Sequence, residues 1–364
     1  MLLKDIVEAL EELAPARLQE SYDNSGLLVG NPQQQISGAL VCLDCTEAIL
    51  DEAIAKGCNL VVAHHPIIFS GLKRLTGKNY IERTVIKAIQ NEVAIYAIHT
   101  NLDNVQHGVN AKIAEKLGLN ALKVLSPKAD QLLKLEVFVP VASAEAIRMA
   151  VFQAGGGHIG NYDECSFATQ GDGTFRPIKG ANPTLGELGT RHTEKELNLS
   201  FIVPVWLKNS VHAAMKGAHP YEEVAHQWIA LQNNHQEVGS GMIGELAEAM
   251  EISKFLSFVK EKMKVKVIRH THPIGRAVKR VAVCGGSGSF LLTDAIGAGA
   301  DVFITADFKY HQFFDADGRI VIADIGHFES EQFTIELLGD WFKQKFPTFA
   351  SHLTAIDTNP VHYL

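Results

Sequence analysis

Long apolar runs are missing from this chain; none approaches the roughly 18 residues that a helix needs to cross a bilayer. Cysteine is scarce, and the five present, Cys42, Cys45, Cys58, Cys165 and Cys284, are an odd number scattered through apolar surroundings with no secretory leader ahead of them. That predicts reduced thiols in a cytoplasmic protein rather than a disulfide framework. Cys42 and Cys45 form a C-x-x-C pair, but no second pair stands at zinc-ribbon spacing, which disfavours a redox or structural-zinc role. Clusters of Lys and Arg are also absent and the formal net charge is −8, so a nucleic-acid coat is excluded as the general reading. Low-complexity tracts are lacking, and 46% hydrophobic with 20% charged residues is the composition of an ordinary folded protein. At 364 residues the chain exceeds one ordinary core, which predicts two or three compact units.

What is present, first, is an internal repeat. Ala39-Leu40-Val41-Cys42 lies over Val281-Ala282-Val283-Cys284, Gly57 over Gly299, and Leu60-Val61-Val62-Ala63 over Val302-Phe303-Ile304-Thr305, all at an offset of 242 residues. Each copy reads strand, loop, helix, Gly stop, strand. Buried apolar runs on either side of a helix mark a βαβ unit with a parallel sheet. Residues 1–126 and 237–364 are therefore expected to form one pseudo-symmetric α/β body with mainly parallel sheets. Residues 127–236 carry a smaller repeat: Leu135–Pro140, a helix from about Ala144 to Ala154 and Gly157–Tyr162 match Leu199–Pro204, a helix through Met215 and Gly217–Glu223. Two such halves predict an inserted ferredoxin-like α+β domain. Its joining stretch, Gly171 to Gly189, is rich in Gly, Pro and Thr and is expected to be irregular.

Three strand ends carry chemistry. Leu60-Val61-Val62-Ala63 runs into His64-His65-Pro66, and Pro66 stops the ladder, so two imidazoles sit where the strand breaks. Solvent-facing loop histidines are the alternative reading. Val93–Ile98 ends in His99-Thr100-Asn101-Leu102-Asp103; Asp103 can bridge two cations or cap the helix near Gly108, and His99 suits a partner behind the ligands. Val321–Ile325 passes through Gly326 into a helix expected to continue to about Lys345, on which His327 and Glu331, four apart, share a face while Glu329 points elsewhere. Open α/β folds gather such ends at one sheet edge. His64, His65, Asp103, His327 and Glu331 then make a plausible ligand set for two divalent ions such as Zn, Fe or Mn, identity undetermined.

Those segments, with Ser21–Gly30 and Thr305-Ala306-Asp307-Phe308-Lys309-Tyr310-His311, occur in the order found in the NIF-three-like family, the GTP cyclohydrolase 1 type 2 homologs, which this chain resembles from end to end. The resemblance implies a dinuclear metal site on those five residues and a toroidal homohexamer whose sites face an internal cavity. It also implies that the insert, recognisable by Gly217–Glu223, is similar to the PII and CutA folds of the longer bacterial members.

Asp307, the repeat counterpart of His65, and Lys309 and His311 beyond it suit contact with an anionic substrate, although an ordinary helix start would read alike. Asp23 and Asn24 either line the pocket or fix a turn before Gly26. Cys284-Gly285-Gly286-Ser287-Gly288-Ser289 either cradles a phosphate or allows close packing beside the metal loops. His158, His219, His270 and His272 lack a convergent set. The function expected is metal-dependent hydrolysis of a nucleotide or related small molecule, with Asp307, Lys309 and His311 meeting the substrate. The alternative is a non-catalytic metal-binding or regulatory assembly whose insert senses a ligand or partner.

Overall fold

Leu60, Val61, Val62 and Ala63 are all fully buried, so the strand Leu60–His65 is covered on both faces. In the computed structural model, which describes residues 1–364, this strand lies in a five-stranded sheet. Parallel partners flank it, Gly38–Asp44 on one side and Ala94–Ala97 on the other, with Ala350–Leu353 parallel to Gly38–Asp44 and Gly26–Val29 antiparallel at the far edge. The repeat builds a second sheet. Val278–Ser287, Val302–Ala306 and Val321–Asp324 are its parallel centre, with Arg269–His270 antiparallel on one flank and His235–Met250 antiparallel on the other. Both crossover helices obey the offset: Glu47–Ala55 stops at Gly57 (φ 70°) and Leu292–Gly297 stops at Gly299 (φ 73°), each glycine supplying the left-handed turn that ends a helix.

Alternation within the strands sorts the core into layers. Val62, Val283 and Ile304 face a central cluster filled by the helices Leu3–Leu13, Val109–Lys116, Ile252–Lys262 and Thr334–Lys345. Val61 and Ala63 face an outer layer with Ile49 and Ala88, while Ala282 and Phe303 face another with Leu292 and Ala295. One unit, Met1–Ser126 with Glu237–Leu364, holds all of this. No helix is long and apolar enough to cross a membrane.

The expected helix from His327 to Lys345 is two helices. His327–Glu331 is a single turn, and Thr334–Lys345 begins after a break at Gln332 and Phe333. The break is anchored by side chains: Gln332 Nε2 donates to the carbonyls of Met263 (2.8 Å) and Glu329 (3.0 Å), and Phe333 is buried with Lys116 Nζ 4.2 Å above its ring.

The other unit, Pro127–Gln236, runs Leu132–Pro140, helix Ala144–Gln153, Phe167–Phe175, His192–Pro204, helix Lys208–Ala218 and His226–Ala230. Its four strands are antiparallel, with His192–Pro204 and Leu132–Pro140 central and Phe167–Phe175 and His226–Ala230 at the edges. Val137, Val139, Leu199 and Phe201 pack on Ile147, Val151, Val211 and Met215 of the helices. One local expectation changes: Gly171–Phe175 is strand rather than loop, because Gly171 and Gly173 pair in register with Glu196 and Glu194.

Candidate metal centre

Parallel pairing sets Asp44 beside His65 in register, so three strand ends of the first sheet open at one edge. His64 is fully buried, and its Nδ1 donates to the carbonyl of Ile98 at 2.8 Å. That hydrogen bond fixes the tautomer and leaves the Nε2 lone pair directed inward. Facing it are Asp103 Oδ1 at 3.8 Å and Glu331 Oε1 at 3.7 Å, beyond hydrogen-bond range. His65 is held between Asp44 Oδ1 (2.8 Å) and Glu331 Oε2 (2.9 Å). His327 is held between Asp307 Oδ2 (2.7 Å) and Glu331 Oε2 (3.2 Å). Glu331, buried, is thus the acid on which all three imidazoles converge. Donor atoms of His64, His65 and Glu331 lie within 4.8 Å of one another, a group that could hold a metal ion.

Charges here oppose one another at close range. Burial, and then repulsion by Glu331, push Asp103 up to about 7. Burial works to raise Glu331 as well, but the surrounding imidazoles hold it well below the ordinary carboxylate range. For His65 burial acts downward, yet Asp44 and Glu331 raise it to about 10; His327, likewise opposed by burial, is raised to about 11 by Asp307 and Glu331.

The residues fit a metal on an observation independent of charge. His64 Nε2 and Asp103 Oδ1 are both buried without a hydrogen-bond partner, an arrangement that costs free energy unless something sits between them. Imidazole nitrogen and carboxylate oxygen together suit Zn, Fe or Mn. Each histidine also has an outer partner on its other nitrogen: Ile98 for His64, Asp44 for His65, Asp307 for His327.

Asp44 and the chain's end escaped the sequence reading. Asp44 accepts from Thr358 Oγ1 (2.8 Å), and Glu329, buried and turned from the centre, accepts from Asn359 Nδ2 (3.1 Å). Asp44 has no local motif; strand register alone sets it beside His65. Asp23 fixes structure rather than lining the site: it accepts from His99 Nδ1 (2.7 Å), Thr100 and Ser25, and although burial opposes it, these bonds hold its carboxyl below the usual range. Asn24 ties to the Ile68 carbonyl at 2.5 Å. Asp103 does not cap the helix at Val109, whose N-cap Gly108 carries no side-chain cap.

The first two glycines of the Cys284–Ser289 loop pack closely beside the metal loops. The amides of Gly285 and Gly286 donate inward to Asn110 Oδ1 (3.0 Å) and Ser330 Oγ (2.9 Å), which withdraws them from any phosphate. A Cβ on Gly286 (φ 61°) would stand 2.4 Å from Glu331 Oε1. Cys42 and Cys45 are buried, burial raises both thiols, Cys45 to about 12, and all five cysteines are free.

Beside the five residues opens a cavity of about 750 Å³ lined by Tyr22, Phe69, Phe290, Ser240, Arg269 and Tyr363 among others. Arg269 is paired to Asp324 and lies over the Phe313 ring at 5.5 Å. Lys309 and His311 are exposed on the turn after Asp307 and do not line this cavity.

Comparison with known proteins agrees with this architecture. The family model Duf34/NIF3 (NGG1p interacting factor 3) matches residues 1–360. A protein of Halalkalibacterium halodurans named GTP cyclohydrolase 1 type 2 homolog is 40% identical over 325 residues, 88% of this chain and 87% of that protein. One of the same name from Bacillus subtilis is 36% identical over 367 residues, 99% of this chain and 98% of its own. The crystal structure of a Bacillus cereus protein related to NIF3 superposes with a TM-score of 0.88 at 36% identity, covering 100% of this chain and 99% of that one. The chain belongs to the Duf34/NIF3 family.

Proposed function

We propose that His64, His65, Asp103, His327 and Glu331 hold two divalent metal ions and that the body is a metal-dependent hydrolase acting on a nucleotide or related small molecule. The observation that carries this reading is the facing pair of unpartnered buried atoms, His64 Nε2 and Asp103 Oδ1, at the base of an open cavity. Bound there, divalent ions supply Lewis acidity, lowering the pKa of a coordinated water and polarising a substrate oxygen. The chain's own groups do the rest. Ile98, Asp44 and Asp307 orient the three imidazoles, and the exposed rings of Tyr22 and Phe69, with centroids 6.3 Å apart, offer stacking faces to a base. Arg269 offers a guanidinium to a phosphate.

The name of the curated relatives, GTP cyclohydrolase 1 type 2 homolog, supports a purine nucleotide as the first substrate to try. A toroidal homohexamer belongs to the same proposal, and the exposed aromatic pair Tyr310 and Phe314, 5.6 Å apart, is an apolar surface available to it. The test is turnover by metal-replete protein and by Asp103→Asn across GTP, other nucleotides and phosphoesters. Hydrolysis lost in the variant supports the reading. Full metal occupancy without turnover on any member would favour a metal-binding or regulatory assembly instead.

A further inference from the structure

The second unit has a cavity of its own, about 770 Å³, within the size range of small-molecule sites. It lies on the sheet face opposite the helices. Val137 and Leu199 pack on the helical side, so Phe138, Glu196 and Asn198 occupy the other, and cross-strand register sets Phe138 beside Asn198 and Gly171 beside Glu196. Two glycines clear this face. A Cβ on Gly173 would lie 2.0 Å from Glu196 Oε2, so the carboxylate rests where a side chain would be. Phe175, Ile178 and Leu185 give the cavity apolar walls.

Inside it Glu196 is paired with no cation. Glu196 is only 9% exposed, and the charged pairs on its own strand and the next, Lys195 with Asp172 (2.7 Å) and His192 with Glu194 (3.1 Å), leave it out. A carboxylate buried without a cation is costly. Asn198 Oδ1, which also lines the cavity, is buried without a hydrogen-bond partner, and the Tyr221 hydroxyl is directed to Glu196. Tyr221 is not free to turn away. His219 donates from Nε2 to the Phe138 carbonyl (3.0 Å) and accepts the Tyr221 amide at Nδ1 (3.1 Å), pinning the loop. Burial, the nearby Glu196 charge and the hydrogen bond to Glu196 push the phenol up, so it stays protonated and donates to that carboxylate.

We propose that this cavity binds a small molecule with a flat apolar body and a cationic end bearing several N–H donors, an amidinium or guanidinium, which donates to Glu196 and Asn198. Carboxylates bind such planar forks through two parallel hydrogen bonds, and the aromatic wall accepts the body. Every residue lining it belongs to the second unit.

Calorimetric titration of the full chain with benzamidine, benzamide and benzoate tests this. Benzamidine is expected to bind at least about tenfold tighter than its neutral analogue, with benzoate weakest, since a charge-assisted bond contributes on the order of one decade or more. Glu196→Gln, checked for folding by circular dichroism, is expected to remove that preference. Should that variant not fold, Gly173→Ala decides, because its methyl displaces the carboxylate while leaving the apolar walls. Undetectable benzamidine binding, equal affinity for benzamidine and benzamide, or a preference unchanged in the folded variant overturns the proposal.

Discussion

His64 Nε2 and Asp103 Oδ1 face each other at 3.8 Å, and neither has a hydrogen-bond partner. A nitrogen and an oxygen each about 2 Å from a shared ion would be separated by about 3 to 4 Å, depending on the angle between them. With Nδ1 donating to Ile98, Nε2 presents a lone pair and Asp103 a carboxylate oxygen, two acceptors that a shared cation would satisfy together. Replacing His64 by Gln or Asp103 by Asn is expected to lower metal affinity by at least about 100-fold, more than loss of an outer partner costs. Competition with a chelator of known affinity measures it.

The outer partners act through orientation. Asp44→Asn and Asp307→Asn leave all five inner side chains in place but replace the charged acceptors that align His65 and His327 with neutral amides. Metal affinity is expected to fall by about 10- to 100-fold in each. An unchanged affinity would mean that the imidazoles are aligned by packing alone.

Gly286 is fixed by space and by conformation. Its φ of 61° disfavours any side chain, and an added methyl would press on the Glu331 carboxylate. Gly286→Ala is expected to destabilise the protein by about 1–3 kcal/mol and to weaken metal binding, read by urea unfolding and by titration. Gly297, whose added Cβ meets nothing, serves as the control, and Gly297→Ala is expected to be neutral or slightly stabilising.

Without metal, stability has a definite pH dependence from Asp103. Its folded pKa of about 7 lies above the ordinary aspartate value, so the folded state holds a proton that the unfolded chain has released. Stability from this group is complete below about pH 4 and is lost as pH rises to about 7. EDTA-stripped wild type is therefore expected to lose stability relative to Asp103→Asn between pH 4 and 7, and metal binding over the same interval is expected to release protons. Parallel profiles for the two proteins would contradict this.

Much of this was legible because periodicity survives in the sequence. The 242-residue offset gave both βαβ units and their glycine stops, and each expected ligand stood at the end of an apolar run, where a parallel sheet gathers side chains. What was hidden depends on tertiary contacts. Nothing in Glu331-Gln332-Phe333-Thr334 marks a helix break, which comes from the hold of Gln332 on Met263 and the burial of Phe333. Asp44 carries no local motif; its role follows from register with His65, a residue 21 positions away. That Gly285 and Gly286 direct their amides to Asn110 and Ser330 likewise depends on contacts distant in sequence.

Stoichiometric titration of the EDTA-stripped protein with zinc, with bound metal counted by elemental analysis, bears most directly on the convergence of these strand ends on a shared pair of ions. Two equivalents per chain are expected for the wild type and fewer than two for Asp103→Asn. A wild type that retains no ion, or an Asp103→Asn protein that keeps both at unchanged affinity, would contradict the account.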